Sequence, residues 1–167
     1  MHKIGDKVVY GANGVMTIVD IREELFGGMT RSYYILSPLQ IVTDSLTFVP
    51  TDNERLVEAM RPLLTKDEAI DLIKRSKDIP PVEWIDASRA RADYFKKIME
   101  SGDREAMFSM IAAIDESAKR REEVGKKNFI ADENARAKAL RLLYSEFSIV
   151  LGVEIEDMND FVSKINN

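Results

Sequence analysis

The chain contains no cysteine, and its single histidine, His2, stands at the second position. The first absence excludes a disulfide framework, thiolate catalysis and thiolate metal sites. The second excludes a Ser-His-Asp or Cys-His arrangement built from side chains within a fold. No run approaches the roughly 18 apolar residues of a membrane span, and the N-terminus carries no apolar signal core. Neither a P-loop nor a Gly-x-Gly-x-x-Gly turn occurs, and no acidic cluster has metal-ligand spacing. A basic excess is missing as well: 24 Lys and Arg against 29 Asp and Glu leave a net charge of −5. A protein that grips nucleic acid unaided presents a strongly basic face, so any such role here is local or helped by another protein. The carboxylates in "REE" and "ADEN" fall on polar helix faces, where solvated surface explains them better than a catalytic dyad does. The expectation is a cytoplasmic protein that is not an enzyme and needs no cofactor or metal.

What is present is ordinary globular material: 167 residues, 45% hydrophobic and 32% charged, enough for one good core or two small ones. The composition changes near Arg61–Thr65. Before it, "KVVY" (7–10) and "GVMTIVDI" (14–21) read as strands joined by a Gly11–Gly14 turn, and Gly27 and Gly28 permit a hairpin turn. "RSYYIL" (31–36) and "SLTFVP" (45–50) read as further strands, the second ended by Pro50. Five short strands in about 60 residues predict a small, strongly bent antiparallel barrel or sheet with at least one exposed edge.

Beyond the change the periodicity is helical. Thr65 lies three residues before Glu68, a capping-box pattern opening "LTKDEAIDLIKRS". Pro80 and Pro81 close that helix, and the pattern predicts another from about Val82 to Glu100. Gly102 suits a C-terminal cap and Asp103 an N-terminal one. Stripes through Met107, Met110, Ile111, Ile114 and Ala118, then through Leu140, Leu143, Tyr144, Phe147, Val150 and Leu151, predict two more helices ending at Gly125 and Gly152. "EIEDMNDFVSKI" supplies a short last one. The expected fold class is α+β, a β domain over residues 1–62 followed by an all-α bundle of about five helices over 63–167.

Two features stand out. "AKRREEVGKK" places Lys119, Arg120, Arg121, Lys126 and Lys127 near a helix C-terminus, where they either offset the macrodipole or contact phosphates or an acidic partner. Trp84, the only tryptophan, lies between Pro80–Pro81 and Arg89 and Arg91. Positions 84, 87, 91, 94 and 98 keep a helical rhythm, which allies Trp84 with Tyr94 and Ile98 as core. Arg91 interrupts that stripe and Ala87 adds little area around the indole, which leaves a projecting contact open.

Together these residues resemble the CarD/CdnL family of bacterial RNA polymerase-binding transcription regulators. "KIGDKVVYGANGVMTI" is similar to the family's opening, "SLTFVPTDN" to its strand ending in Val-Pro, and "EWIDASRARADYFKKIMESGD" to the start of its C-terminal domain. "GKKNFIADENARAKALRLLYSEFSIVLG" is similar to its later helices, so the likeness spans nearly the whole chain. The resemblance implies a Tudor-like N-terminal domain, shared with the transcription-repair coupling factor, that binds the polymerase β subunit. It implies a helical domain that meets promoter DNA in the minor groove at the upstream edge of the bubble, with little or no sequence specificity, and stabilises the open complex. On this likeness Trp84 is the wedge, and Arg89, Arg91, Lys96, Lys119, Arg120 and Arg121 are candidate DNA contacts. Some family members hold polymerase with basic residues where Glu24 and Phe48 stand here. The polymerase contact therefore falls to Tyr33, Tyr34, Ile35 and Phe48. A monomer with no membrane association is expected. The alternative is an adaptor that binds polymerase and a second protein without touching DNA.

Overall fold

Gly27 and Gly28 take φ of 58° and 79°, the paired left-handed conformation that lets a two-residue turn follow the twist of its strands. They join the longest strands of the chain, β2 (Val15–Phe26) and β3 (Met29–Pro38), through a register that closes on Phe26 opposite Met29. The computed structural model describes residues 1–40 and 44–167 in two units, Met1–Leu63 and Leu64–Asn167.

The first unit is a five-stranded antiparallel sheet in the order β4-β3-β2-β1-β5, completed by β1 (Lys7–Tyr10), β4 (Thr47–Pro50) and β5 (Met60–Pro62). The two central strands run several residues further than their sequence pattern suggests. The fifth strand is the short Met60–Pro62, reached through a one-turn helix, α1 (Glu54–Glu58). Asn53 starts that helix by accepting the amide of Leu56. Alternation along the strands sends Val8, Met16, Ile18, Tyr34, Leu36 and Val49 to one buried face, where Leu56 and Val57 of α1 also pack. A bulge between Ile18 and Asp20 leaves Val19 as the extra residue, turned outward, and restores Ile21 to the core side.

The second unit is helical, as the periodicity predicts: α2 (Lys66–Ser76), α3 (Ser88–Ser101), α4 (Arg104–Glu123), α5 (Ile130–Leu151) and α6 (Met158–Asn166), the last preceded by a 3-10 turn over Ile155–Asp157. The signals at their ends behave as the sequence indicates. Thr65 and Glu68 form a reciprocal capping box, Gly102 ends α3 in the left-handed region, and Asp103 accepts the amide of Ala106 at the start of α4. Ile73, Phe95, Met110, Ile114, Leu143, Phe147 and Met158 bring all five helices to one core. Within it the buried carboxylate of Glu146 takes the guanidinium fork of Arg104. Among the described residues no helix is long and apolar enough to cross a membrane.

One boundary differs from expectation. The third helix begins at Ser88, not near Val82, and residues 79–87 form a non-helical segment beside α4. Proline stiffens its start, and its polar groups find partners outside any helical ladder. The Val82 amide donates to the Ser109 carbonyl and the Ser109 hydroxyl to the Pro80 carbonyl. The carbonyls of Ile85 and Asp86 accept from Arg91.

Candidate nucleic-acid interface in the helical unit

Trp84 therefore stands on the extended approach to α3 rather than on its first turn. The indole is half-buried: one part packs on the helical core, edge-on to Phe95 at 6.3 Å between ring centres, and the rest lines an open cleft. That divides the alternatives left open by the sequence, since the side chain is partly core and partly surface.

Arg91 explains how such a position is held. It is 2% exposed, and its stem rises from α3 among Phe95, Ile98 and Met99, the other buried residues of that helix. Its Nε and one terminal nitrogen each lie 3.0 Å from a carboxylate oxygen of Asp132, in the first turn of α5. The other terminal nitrogen donates to the carbonyls of Ile85 (2.8 Å) and Asp86 (3.1 Å). The guanidinium also lies 4.5 Å from the centre of the Trp84 ring and 5.0 Å from that of Phe129. Every nitrogen has an acceptor, so the expectation that Arg91 contacts DNA phosphate is corrected: its charge is consumed inside the protein.

Surface cations come instead from the end of α4. Arg120, Arg121 and Lys126 line the cleft with Trp84, Asp86 and Arg91, and its volume is about 310 Å³. Arg121 lies over the Phe129 ring and donates from Nε to the Lys127 carbonyl at 2.7 Å, which holds its plane. Its terminal nitrogens make no hydrogen bond among the described residues, and the residue lines the cleft. Arg120 is exposed and only loosely paired with Glu116, at 3.7 Å. Val124, Phe129 and Ile130 expose apolar surface at the same end of the unit. The cleft thus joins an aromatic face to the cations Arg120, Arg121 and Lys126, with Asp86 as its one carboxylate among the described lining residues.

The fold gathers Trp84, Arg91, Arg120 and Arg121 from the expected set. Arg89, in the first turn of α3, Lys96, paired with Glu100 at 3.8 Å, and Lys119 do not line the cleft. Lys126, which the sequence offers as a phosphate contact or a macrodipole partner, lines the cleft, whereas Val124 and Phe129 were not anticipated there; the run "GKKNF" after a helix end, basic then aromatic, was the signal available.

In the sheet unit the four proposed contact residues separate. Tyr34 and Ile35 are 6% and 1% exposed and belong to the interior, which corrects their assignment as contacts. Tyr33 is also buried, but its ring joins an edge-to-face trio with Phe26 and Phe48, with centres 5.4–6.1 Å apart. Phe26 is half exposed, and Leu25 and Met29 beside it are more so. These three were missed, although adjacent apolar residues at a strand end cannot all face one side. The edge strand β4, which carries Phe48, pairs only with β3 among the described strands.

Residues 2–64 match the family model described as the CarD-like/TRCF RID domain. No curated protein matches the chain.

Proposed function

We propose that the chain, whose residues 2–64 match the model of the CarD-like/TRCF RID domain, is an RNA polymerase-interacting transcription factor whose helical unit stabilises the promoter open complex through Trp84. The observation that carries this reading is the Trp84 cleft: a partly buried indole on a locked support, rimmed by Arg120, Arg121 and Lys126 in a chain of net charge −5. Minor-groove proteins insert an apolar side chain at a distorted base step while cations hold adjacent phosphates. Few phosphate contacts give weak binding to free DNA. Attachment of the RID domain to polymerase raises the local DNA concentration and offsets that weakness. The β subunit is the proposed partner, with the β4 edge open to strand addition and Phe26 and Phe48 supplying apolar area.

The reading is tested by promoter-melting fluorescence with purified polymerase, comparing the wild type with Trp84→Ala. A longer-lived open complex with the wild type, lost in the variant while its melting temperature holds, supports it. An unchanged lifetime with the wild type removes it. The exposed Val124, Phe129 and Ile130 favour a second reading, an adaptor that docks another protein there; in that case neutralising Arg120 and Arg121 leaves the lifetime unaltered.

A further inference from the structure

A solvent-facing tryptophan on a segment without helix or strand hydrogen bonds would ordinarily sample many orientations, and insertion at a base step would then carry the entropy cost of ordering it. Trp84 is held otherwise. One buried guanidinium, that of Arg91, binds the two carbonyls that follow Trp84 in the chain, lies against the indole, and is itself fastened to α5 through Asp132. Replacing a buried ion pair with apolar residues of similar volume is often neutral or stabilising, so stability alone is a weak reason for this arrangement. From this geometry we infer that Arg91 is the positioning residue for Trp84, setting the indole in its contact orientation before any partner arrives. This rests on the reading of Trp84 as the DNA-contacting side chain.

Arg91→Ala would bury an unpaired Asp132 and confuse loss of folding with loss of positioning. The decisive variant is the pair Arg91→Met with Asp132→Leu, which removes both charges together. The comparator is Arg104→Met with Glu146→Leu, which removes the other buried pair of the same unit. Trp84 is the sole tryptophan, so its emission and its quenching by acrylamide report on this side chain alone. The Arg91 pair is expected to stay folded by circular dichroism, to shift Trp84 emission to the red and to raise its quenching, whereas the comparator leaves both near wild type. In the polymerase assay the Arg91 pair should lose most of the open-complex lengthening, and adding Trp84→Ala should remove no more. Unchanged quenching in a folded variant overturns the inference, and so does a loss that adds to that of Trp84→Ala. Should the paired variant fail to fold, Arg91→Lys decides: a lysine keeps the charge but cannot serve Asp132 and both carbonyls at once. Raised quenching with a retained melting temperature supports positioning, and unchanged quenching overturns it. If the wild type itself leaves open complexes unaffected, the proposed function fails while quenching still reads the role of Arg91.

Discussion

Arg121 lies over the ring of Phe129, its guanidinium carbon 3.9 Å from the ring centre. The contact turns a flexible surface cation into a fixed one, because Nε is also tied to the Lys127 carbonyl. Phe129→Ala is therefore expected to weaken promoter-complex stabilisation severalfold, with stability changed by about 1 kcal/mol or less, since Phe129 is 39% exposed. Arg121→Gln should reduce the slope of log affinity against log salt by about one, the signature of one lost phosphate contact. A slope equal to wild type would assign Arg121 to the helix terminus alone.

The hairpin makes a separable prediction. Phe26 is 50% exposed, so Phe26→Ala should leave the urea midpoint nearly unaltered while weakening binding to the isolated polymerase β subunit by about tenfold. Tyr34→Ala is expected to do the reverse, costing about 3 kcal/mol of stability because its ring lies in the sheet core. Titration calorimetry and urea denaturation on both variants distinguish surface from interior.

Glu146 receives Nε and a terminal nitrogen of Arg104 at 2.6 and 2.7 Å, with its side chain 3% exposed. Glu146→Ala removes the carboxylate that faces a largely buried guanidinium and should cost about 3–5 kcal/mol. Arg104→Met combined with Glu146→Leu should recover most of that loss in the same urea experiment.

Thr65 gives the helical unit a pH-dependent term. Hydrogen bonds from the Thr65 backbone amide, then its side chain, hold the exposed Glu68 carboxyl below its usual range in the folded protein. A depressed folded value means the contribution is complete above the unfolded-state value and is lost as pH falls through the folded one. The midpoint difference between wild type and Glu68→Gln should therefore be largest near neutrality and shrink toward zero in acid. A difference that persists at low pH would show that the cap acts without the carboxylate charge.

Much of the architecture was legible along the chain, because its signals are local. The Gly27–Gly28 turn, the Thr65–Glu68 box, the Gly102–Asp103 break and the stripe through Leu143 and Phe147 each depend on backbone conformation or periodicity within a few residues. The start of α3 was not legible, because the groups that hold residues 79–87 out of the helix are Ser109 and the Arg91 side chain, set by packing. For the same reason pattern could not tell Tyr34 from Phe48, which stand on opposite faces of paired strands. Composition and order determined that this is a two-part α+β protein, acidic overall, with one tryptophan beside arginines. Tertiary structure alone decided which arginine is which. Arg91 meets Asp132 across 41 residues and becomes the buried support of Trp84, whereas Arg121, stacked on Phe129, leaves its terminal nitrogens without a hydrogen bond among the described residues. A charge buried with its partner and one left facing solvent carry the same letter in sequence, and only packing separates them.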